Sequence, residues 1–296
     1  MTVLDFSSGS AEITSPGDYV LDQDWSAPGL SLSICANDVF VDFSGYTVDS
    51  SYEIASTVTP GLQFNLCPGS NGVRVSGDGR LIVLSGVIEN FITTLDVSLG
   101  ARCSELCTGG ASTSNAFRNS RAYLVEVFDN WVIDGNHLRG LIMSPNTGTQ
   151  SGEPTVAKIF DNEFLCLGGA DCVALVGAGT IFKRNTVWVW PPSDDSAILK
   201  VSGGEHSIVG NVFRYSPGSS GEWNCVQFGC PGTLVEVLGY ENVIRGNITV
   251  GPTGGRLANG LKFTGSDGNF YGDNHFNADV PYDEGGTTQV DLGGNR

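Results

Sequence analysis

The sequence predicts an all-β solenoid, a chain of short parallel strands wound into stacked coils. Three observations carry that reading. The phrase LVEVFDNWVIDGN, beginning at Leu124, returns as LVEVLGYENVIRGN at Leu234, 110 residues later. A shorter pattern, I-x-x-N-x-apolar, recurs six times with asparagine spacings of 26, 23, 26, 36 and 27 residues. About twelve or thirteen residues before five of those asparagines stands a short alternating run, and no helical periodicity competes with it. A fixed period in this range marks a solenoid, in which each unit buries its apolar face only by stacking on its neighbour.

From the N-terminus, ITSPGDYVLDQDW leads into LSLSICANDVFVDFSGYTV and then LQFNLCPGSNGVRVSGDG. Setting Ile34-Cys35 against Leu66-Cys67 places Val41 near Val75 and Gly45 near Gly77 or Gly79. Residues 98–122 break the rhythm and read as a long excursion on one side, as do 144–154 and 214–232. The motif itself runs Ile133 to Leu138, Ile159 to Phe164, Phe182 to Val187, Ile208 to Phe213, Ile244 to Thr249 and Tyr271 to Phe276. Its upstream runs are LVEV at 124, VALV at 173, LKVS at 199, LVEV at 234 and LKFT at 261, each followed by a turn rich in Gly, Asp or Ser. Strand, turn, strand, asparagine turn, strand makes one coil.

Coils of a parallel solenoid repeat at about 4.8 Å, so like side chains lie above one another. Asn136, Asn162, Asn185, Asn211, Asn247 and Asn274 are expected to form one hydrogen-bonded column, since asparagine tolerates left-handed backbone at a turn. The whole chain, 1–296, reads as one domain, with looser N-terminal coils over 1–97 and asparagine-ladder coils over 123–280. The total comes to roughly nine or ten coils.

Composition narrows the function. Fifteen Lys and Arg stand against 32 acids, a net charge of −17. That argues against nucleic acid and anionic membrane as partners, because phosphates need basic groups to replace their counterions. It also weighs against an acidic polysaccharide unless a metal bridges the two. No apolar run reaches the ~18–20 residues that cross a bilayer, so membrane insertion is not expected. No basic segment followed by an apolar stretch opens the chain, so no signal peptide is visible, and the expected setting is extracellular or a virion surface.

Eight cysteines form an even set, and they do not lay out the two clustered ligand pairs that a zinc site needs. Cys103 and Cys107, Cys166 and Cys172, and Cys225 and Cys230 each suit a short closed loop. Cys35 and Cys67 fall on adjacent coils, as a disulfide or a thiol stack. Disulfides imply an oxidising compartment.

ITSPGDYVL…VFVDFSGYTV and the six motif coils resemble the right-handed parallel β-helix superfamily, the pectate-lyase-like and tailspike-like fold, over nearly the whole chain. The resemblance and the right-handed rule for parallel crossovers imply the handedness. The fold hosts lyases, hydrolases, epimerases, adhesins and phage tailspikes, so it names no activity. The stretch Gly168 to Leu175 is similar to the Asp-Asp-Cys-(Val/Ile)-Ala-(Ile/Leu) segment of polygalacturonase-like glycoside hydrolases, in which the aspartates flank the glycosidic bond. Only Asp171 matches. Ala170 replaces the first aspartate, Asn146-Thr-Gly148 lacks the upstream one, and Gly204-Glu-His206 is a poor echo of Gly-His-Gly.

Sugar hydrolysis needs two carboxyls about 5–10 Å apart. Aligning Val173 with Leu199 puts Asp194 and Asp195 one coil from Asp171, so the three are the catalytic candidates. They also suit a calcium ion; no other cofactor is indicated. The bland reading of PPSDDSA is a solvated turn. Trp188 and Trp190 alternate on one face of a strand: outside, they offer a ligand-stacking platform, and inside, they are core. Lys158 and Lys183 are the lysines nearest the motif, as bases for a lyase or as plain surface residues.

Two functions from different classes follow. The first is a non-enzymatic surface or virion module, structural or recognising glycan or protein; exposed strand edges invite association, and the resemblance to tailspike-like β-helices implies a homotrimer. The alternative is a polysaccharide-active hydrolase or lyase using the Asp171, Asp194 and Asp195 group. The partner is polysaccharide or surface protein in either case.

Overall fold

A computed structural model describes residues 1–43, 45–49, 52–54, 57–59, 61–77, 80–83, 87–99, 115–127, 131–143, 157–167, 172–190, 197–215, 230–250, 257–265 and 267–296. Every regular element among them is a β-strand, and the strands pair in parallel except for one short hairpin, Tyr52–Ile54 with Thr57–Thr59. Contacts cluster into two compact units, one holding the described residues 1–138, the other 139–143 and 157–296.

In the first unit one row of strands joins Ser10–Ile13, Ser31–Ile34, Leu62–Leu66, Arg80–Val83, Asp96–Leu99 and Arg121–Val127. A second row joins Thr2–Val3, Gly17–Val20, Val39–Asp42, Arg74–Ser76, Ile92–Thr93 and Arg121. A third holds Val87–Glu89, Ala116–Arg118 and Val132–Asp134. Leu66 pairs with Ile34 and Val75 with Val41, the register read from the cysteine alignment. Inward positions are β-branched, leucine or phenylalanine and are buried, as Leu32, Phe64, Val97 and Val125 are.

The second unit repeats the plan. Its first row runs through Val173–Ala178, Ala197–Gly204, Cys230–Val237, Leu257–Phe263 and Ala278–Asp283. The second holds Glu163–Leu167, Thr186–Trp190, Val212–Tyr215 and Ile248–Val250. The third holds Lys158–Phe160, Ile181–Lys183, Ser207–Val209, Val243–Arg245, Phe270–Gly272 and Val290–Asp291. Side chains at the motif's first position, Ile159, Phe182, Ile208, Ile244 and Tyr271, stack in register and are buried.

The asparagine column is present and saturated. In the second unit Asn162, Asn185, Asn211, Asn247 and Asn274 each donate from Nδ2 to the next Oδ1, ending on Asn295, over 2.8 to 3.4 Å. The backbone N–H of each donates to the same oxygen. The second Nδ2 hydrogen goes back to the carbonyl of the preceding motif's bulky residue, as from Asn211 to Phe182 at 3.0 Å. Asn136 makes the same bonds in the first unit, accepting from Ser120 N–H and donating to Phe117 O. The residue before each asparagine, Gly135, Asp161, Arg184, Gly210, Gly246 or Asp273, has positive φ, so the turn needs glycine or a tolerated left-handed residue there. Thr249 is the one non-apolar sixth position, and its hydroxyl accepts from Asn277 N–H and donates to His275 O.

Two boundaries differ from expectation. The excursion placed at 98–122 ends sooner, because Ala116–Arg118 and Arg121–Val127 are strands in register with their neighbours. Phe117-Arg-Asn119-Ser120 is a motif turn in disguise: Asn119 takes the left-handed position and buried Ser120 the column position, donating its N–H to Asn136. Likewise the segment 214–232 is flanked by Val212–Tyr215 and Cys230–Val237, which take its first and last residues.

Candidate functional site

A second buried column stands five residues before the first, at the other turn of each coil. Thr180 N–H donates to His206 Nδ1 at 3.2 Å, His206 N–H to Asn242 Oδ1, Asn242 N–H to Asn269 Oδ1, and Asn269 N–H to Gln289 Oε1. His206 is fully buried, and burial lowers its pKa from the ordinary value. Since Nδ1 accepts, the neutral ring carries its proton on Nε2, 3.4 Å from Ser202 O. The histidine that echoed a catalytic motif is a rung of a ladder, closed to substrate.

What remains open is the outer surface of the first row in the second unit. Ala174, Lys200, Glu236, Lys262 and Asp283 occupy one outward column, each in register with the next. Their alternation puts Glu236 one strand from a lysine on either side, about 5 Å between backbones, with the two lysine strands about 10 Å apart. Thr264 Oγ1 donates to Glu236 Oε1 at 3.0 Å, which orients the carboxylate. Val176 and Ser202 continue the face alongside. Lys200 and Lys262 flank Glu236 and Asp283 follows Lys262, so the column alternates in sign and is formally neutral, in a chain whose net charge is −17. A lysine of such a column can pair with the carboxylate of a sugar acid. No common letter marks them in the sequence: Lys200 and Lys262 hold the second position of LKVS and LKFT, whereas Glu236 holds the third of LVEV.

Asp171, Asp194 and Asp195 lie outside the described residues. The strands they precede, Val173–Ala178 and Ala197–Gly204, are neighbours in this same row. Cys166, inward on the strand before, is disulfide-bonded to Cys172, with Cα atoms 5.5 Å apart. Cys35 and Cys67 are bonded across adjacent strands, Cα to Cα 4.8 Å. The pairs Cys103–Cys107 and Cys225–Cys230 fall on residues outside the description, apart from the backbone of Cys230.

Trp188 points outward from the second row, between buried Val187 and Val189. It donates from Nε1 to Glu163, one strand away, and the Arg214 guanidinium sits 5.7 Å from its ring centre. One ring face is therefore engaged within the protein. The backbone of Trp190 ends the same strand, and its side chain is outside the description. Lys158 pairs with Ile181 and Lys183 with Phe160, so the two lysines occupy different outward columns of the third row. Among the described residues no three His, Cys, Asp or Glu side chains converge as a metal site requires, and no helix is long and apolar enough to cross a membrane.

Neither a protein-family model nor a curated protein matches the chain in sequence. Among solved structures, the chain is similar to the A-module of mannuronan C-5 epimerase AlgE6 from Azotobacter vinelandii at 12% identity and a TM-score of 0.49, covering 97% of this chain and 91% of that one. It is also similar to the alginate lyase AlyF-OU02, solved in complex with G6, at 15% identity and a TM-score of 0.37, covering all of this chain and 58% of that one.

Proposed function

We propose that the chain recognises an acidic polysaccharide on the outer face of the strand row from Val173–Ala178 to Ala278–Asp283. The carrying observation is the Lys200–Glu236–Lys262 column, where cations scarce elsewhere in the chain stand in register on a flat sheet. Two buried columns lock the backbone that presents it, so little ordering entropy is lost on binding. Two disulfides suit an oxidising, extracellular setting. The test is retention on immobilised polygalacturonate and alginate, with dextran as the neutral control. Substituting Lys200→Gln with Lys262→Gln is expected to weaken retention about tenfold at low salt, as loss of charge-assisted contacts does. Equal retention of variant and wild type rejects the reading.

The same column favours a second reading, cleavage of a uronate chain. One lysine pairs with the substrate carboxylate while the other in its neutral form, or an aspartate among Asp171, Asp194 and Asp195, takes the proton from the carbon next to it. The glycosidic C–O bond on the adjacent carbon breaks, leaving a carbon–carbon double bond, and the departing oxygen takes a proton from solvent. New unsaturated or reducing ends from polygalacturonate or alginate, lost in Asp171→Asn or Lys200→Gln, would carry it; no product from either polymer, with or without calcium, rejects it.

A further inference from the structure

The first unit carries its own outward row of cations. Asp18, Phe40, Arg74, Ile92 and Arg121 form one column through four in-register pairings. Arg74 and Arg121 are exposed and, among the described residues, make no ion pair, whereas Arg80, Arg118, Arg184 and Arg245 each face a carboxylate. The Arg74 guanidinium sits 5.4 Å from the Phe40 ring centre, which holds it against the sheet. Ile92, between the two arginines, is 44% exposed, and Tyr123, next along the face from Arg121, is 52% exposed. The nearby carboxylates are Asp18, closing one end, and Asp42, which accepts from Ser76 Oγ at 3.3 Å.

We infer that this strip is a second binding site, for an extended anionic glycan lying along the stack. The alternation argues for that class. The two arginines stand on every second strand, about 10 Å apart, with Ile92 between them and the Phe40 ring on the far side of Arg74. Guanidinium forks match carboxylate or sulfate groups bidentately, and pyranose C–H faces pack on apolar and aromatic side chains. An acidic peptide would use the cations and leave the apolar steps without a role. The strip takes its ligand class from the proposal for the second unit but stands on separate residues.

The experiment compares three full-length proteins: wild type, Arg74→Gln with Arg121→Gln, and Lys200→Gln with Lys262→Gln. Each is titrated with polygalacturonate and dextran sulfate oligomers, with poly-glutamate as the peptide control. Arginine modification by phenylglyoxal is read at Arg74 and Arg121 with and without oligomer. The expected result is affinity about tenfold weaker in the arginine variant, a shallower salt dependence, and glycan protection of both arginines in wild type and lysine variant alike. Unprotected arginines, unchanged affinity in the arginine variant, or equal protection by poly-glutamate overturns the strip. Loss of binding confined to the lysine variant leaves the first proposal standing without the second; loss confined to the arginine variant does the reverse.

Discussion

Asn211 makes six hydrogen bonds: it donates twice from Nδ2 and once from its backbone, accepts two from Asn185 at Oδ1, and accepts one from Ile248 N–H at its backbone carbonyl. No other side chain of that size offers two donors and a two-lone-pair acceptor, which is why the six motif turns share that letter while their other positions vary. The second column does vary, using threonine, histidine, asparagine and glutamine. His206 makes it sensitive to acid. Its pKa is depressed in the fold, so its contribution is complete above the unfolded value of about 6.5 and is lost as pH falls from there toward the folded value. Protonation would turn Nδ1 from an acceptor into a donor facing Thr180 N–H. The urea midpoint of the wild type should therefore drop between pH 7.5 and 5, and His206→Asn, which supplies the column's usual amide, should remove that drop. Asp161 titrates separately and lower, because the Arg184 guanidinium holds its carboxyl below the ordinary range. A wild-type midpoint that is flat across this window contradicts the assignment.

At the scale of the element, the turn after the first row is set by glycine. A Cβ on Gly203 would overlap the carbonyl oxygen of Gly177 one coil away, and a Cβ on Gly239 that of Gly203. Backbones approach here without side chains between them, and Gly203 adds a φ of +112°. Gly203→Ala is expected to cost at least ~3 kcal/mol, since backbone carries both the clash and the strain. Gly9→Ala, with φ of +84° and nothing within 4 Å, should cost about 1 kcal/mol. Urea unfolding of both variants separates steric contact from conformational strain. The sequence signal is V-G-A, V-S-G-G and V-L-G at the ends of three aligned strands, which reads as ordinary turn glycine until the stack shows what each one touches.

For the whole molecule, the two described disulfides act on different lengths of chain. Cys35 and Cys67 are 32 residues apart, Cys166 and Cys172 only 6. Chain-closure entropy gives about 3–4 kcal/mol for the longer loop and about 2 kcal/mol for the shorter. Replacing Cys35 and Cys67 by alanine should lower unfolding free energy more than replacing Cys166 and Cys172. The opposite order would mean that the short loop works through contacts and not through closure. Each unit holds one of these bridges, and in each the core is a set of inward columns, so stability accrues coil by coil, as in other solenoids.

Sequence alone determined the parallel stacking, the asparagine column and the register of the N-terminal strands, because one periodic contact, like on like at strand spacing, imprints itself on every coil. It could not expose the steps at Ser120 and Phe91, where the column residue is not asparagine, though Ser120 Oγ there accepts the N–H of Phe91. Nor did it mark the outward columns. Lys200, Glu236 and Lys262, or Phe40, Arg74, Ile92 and Arg121, are separated by 18 to 36 residues of chain and share no motif. Only the tertiary register makes neighbours of them, since the pitch of the coil, not distance along the sequence, decides which side chains stand next to each other on the face a ligand would meet.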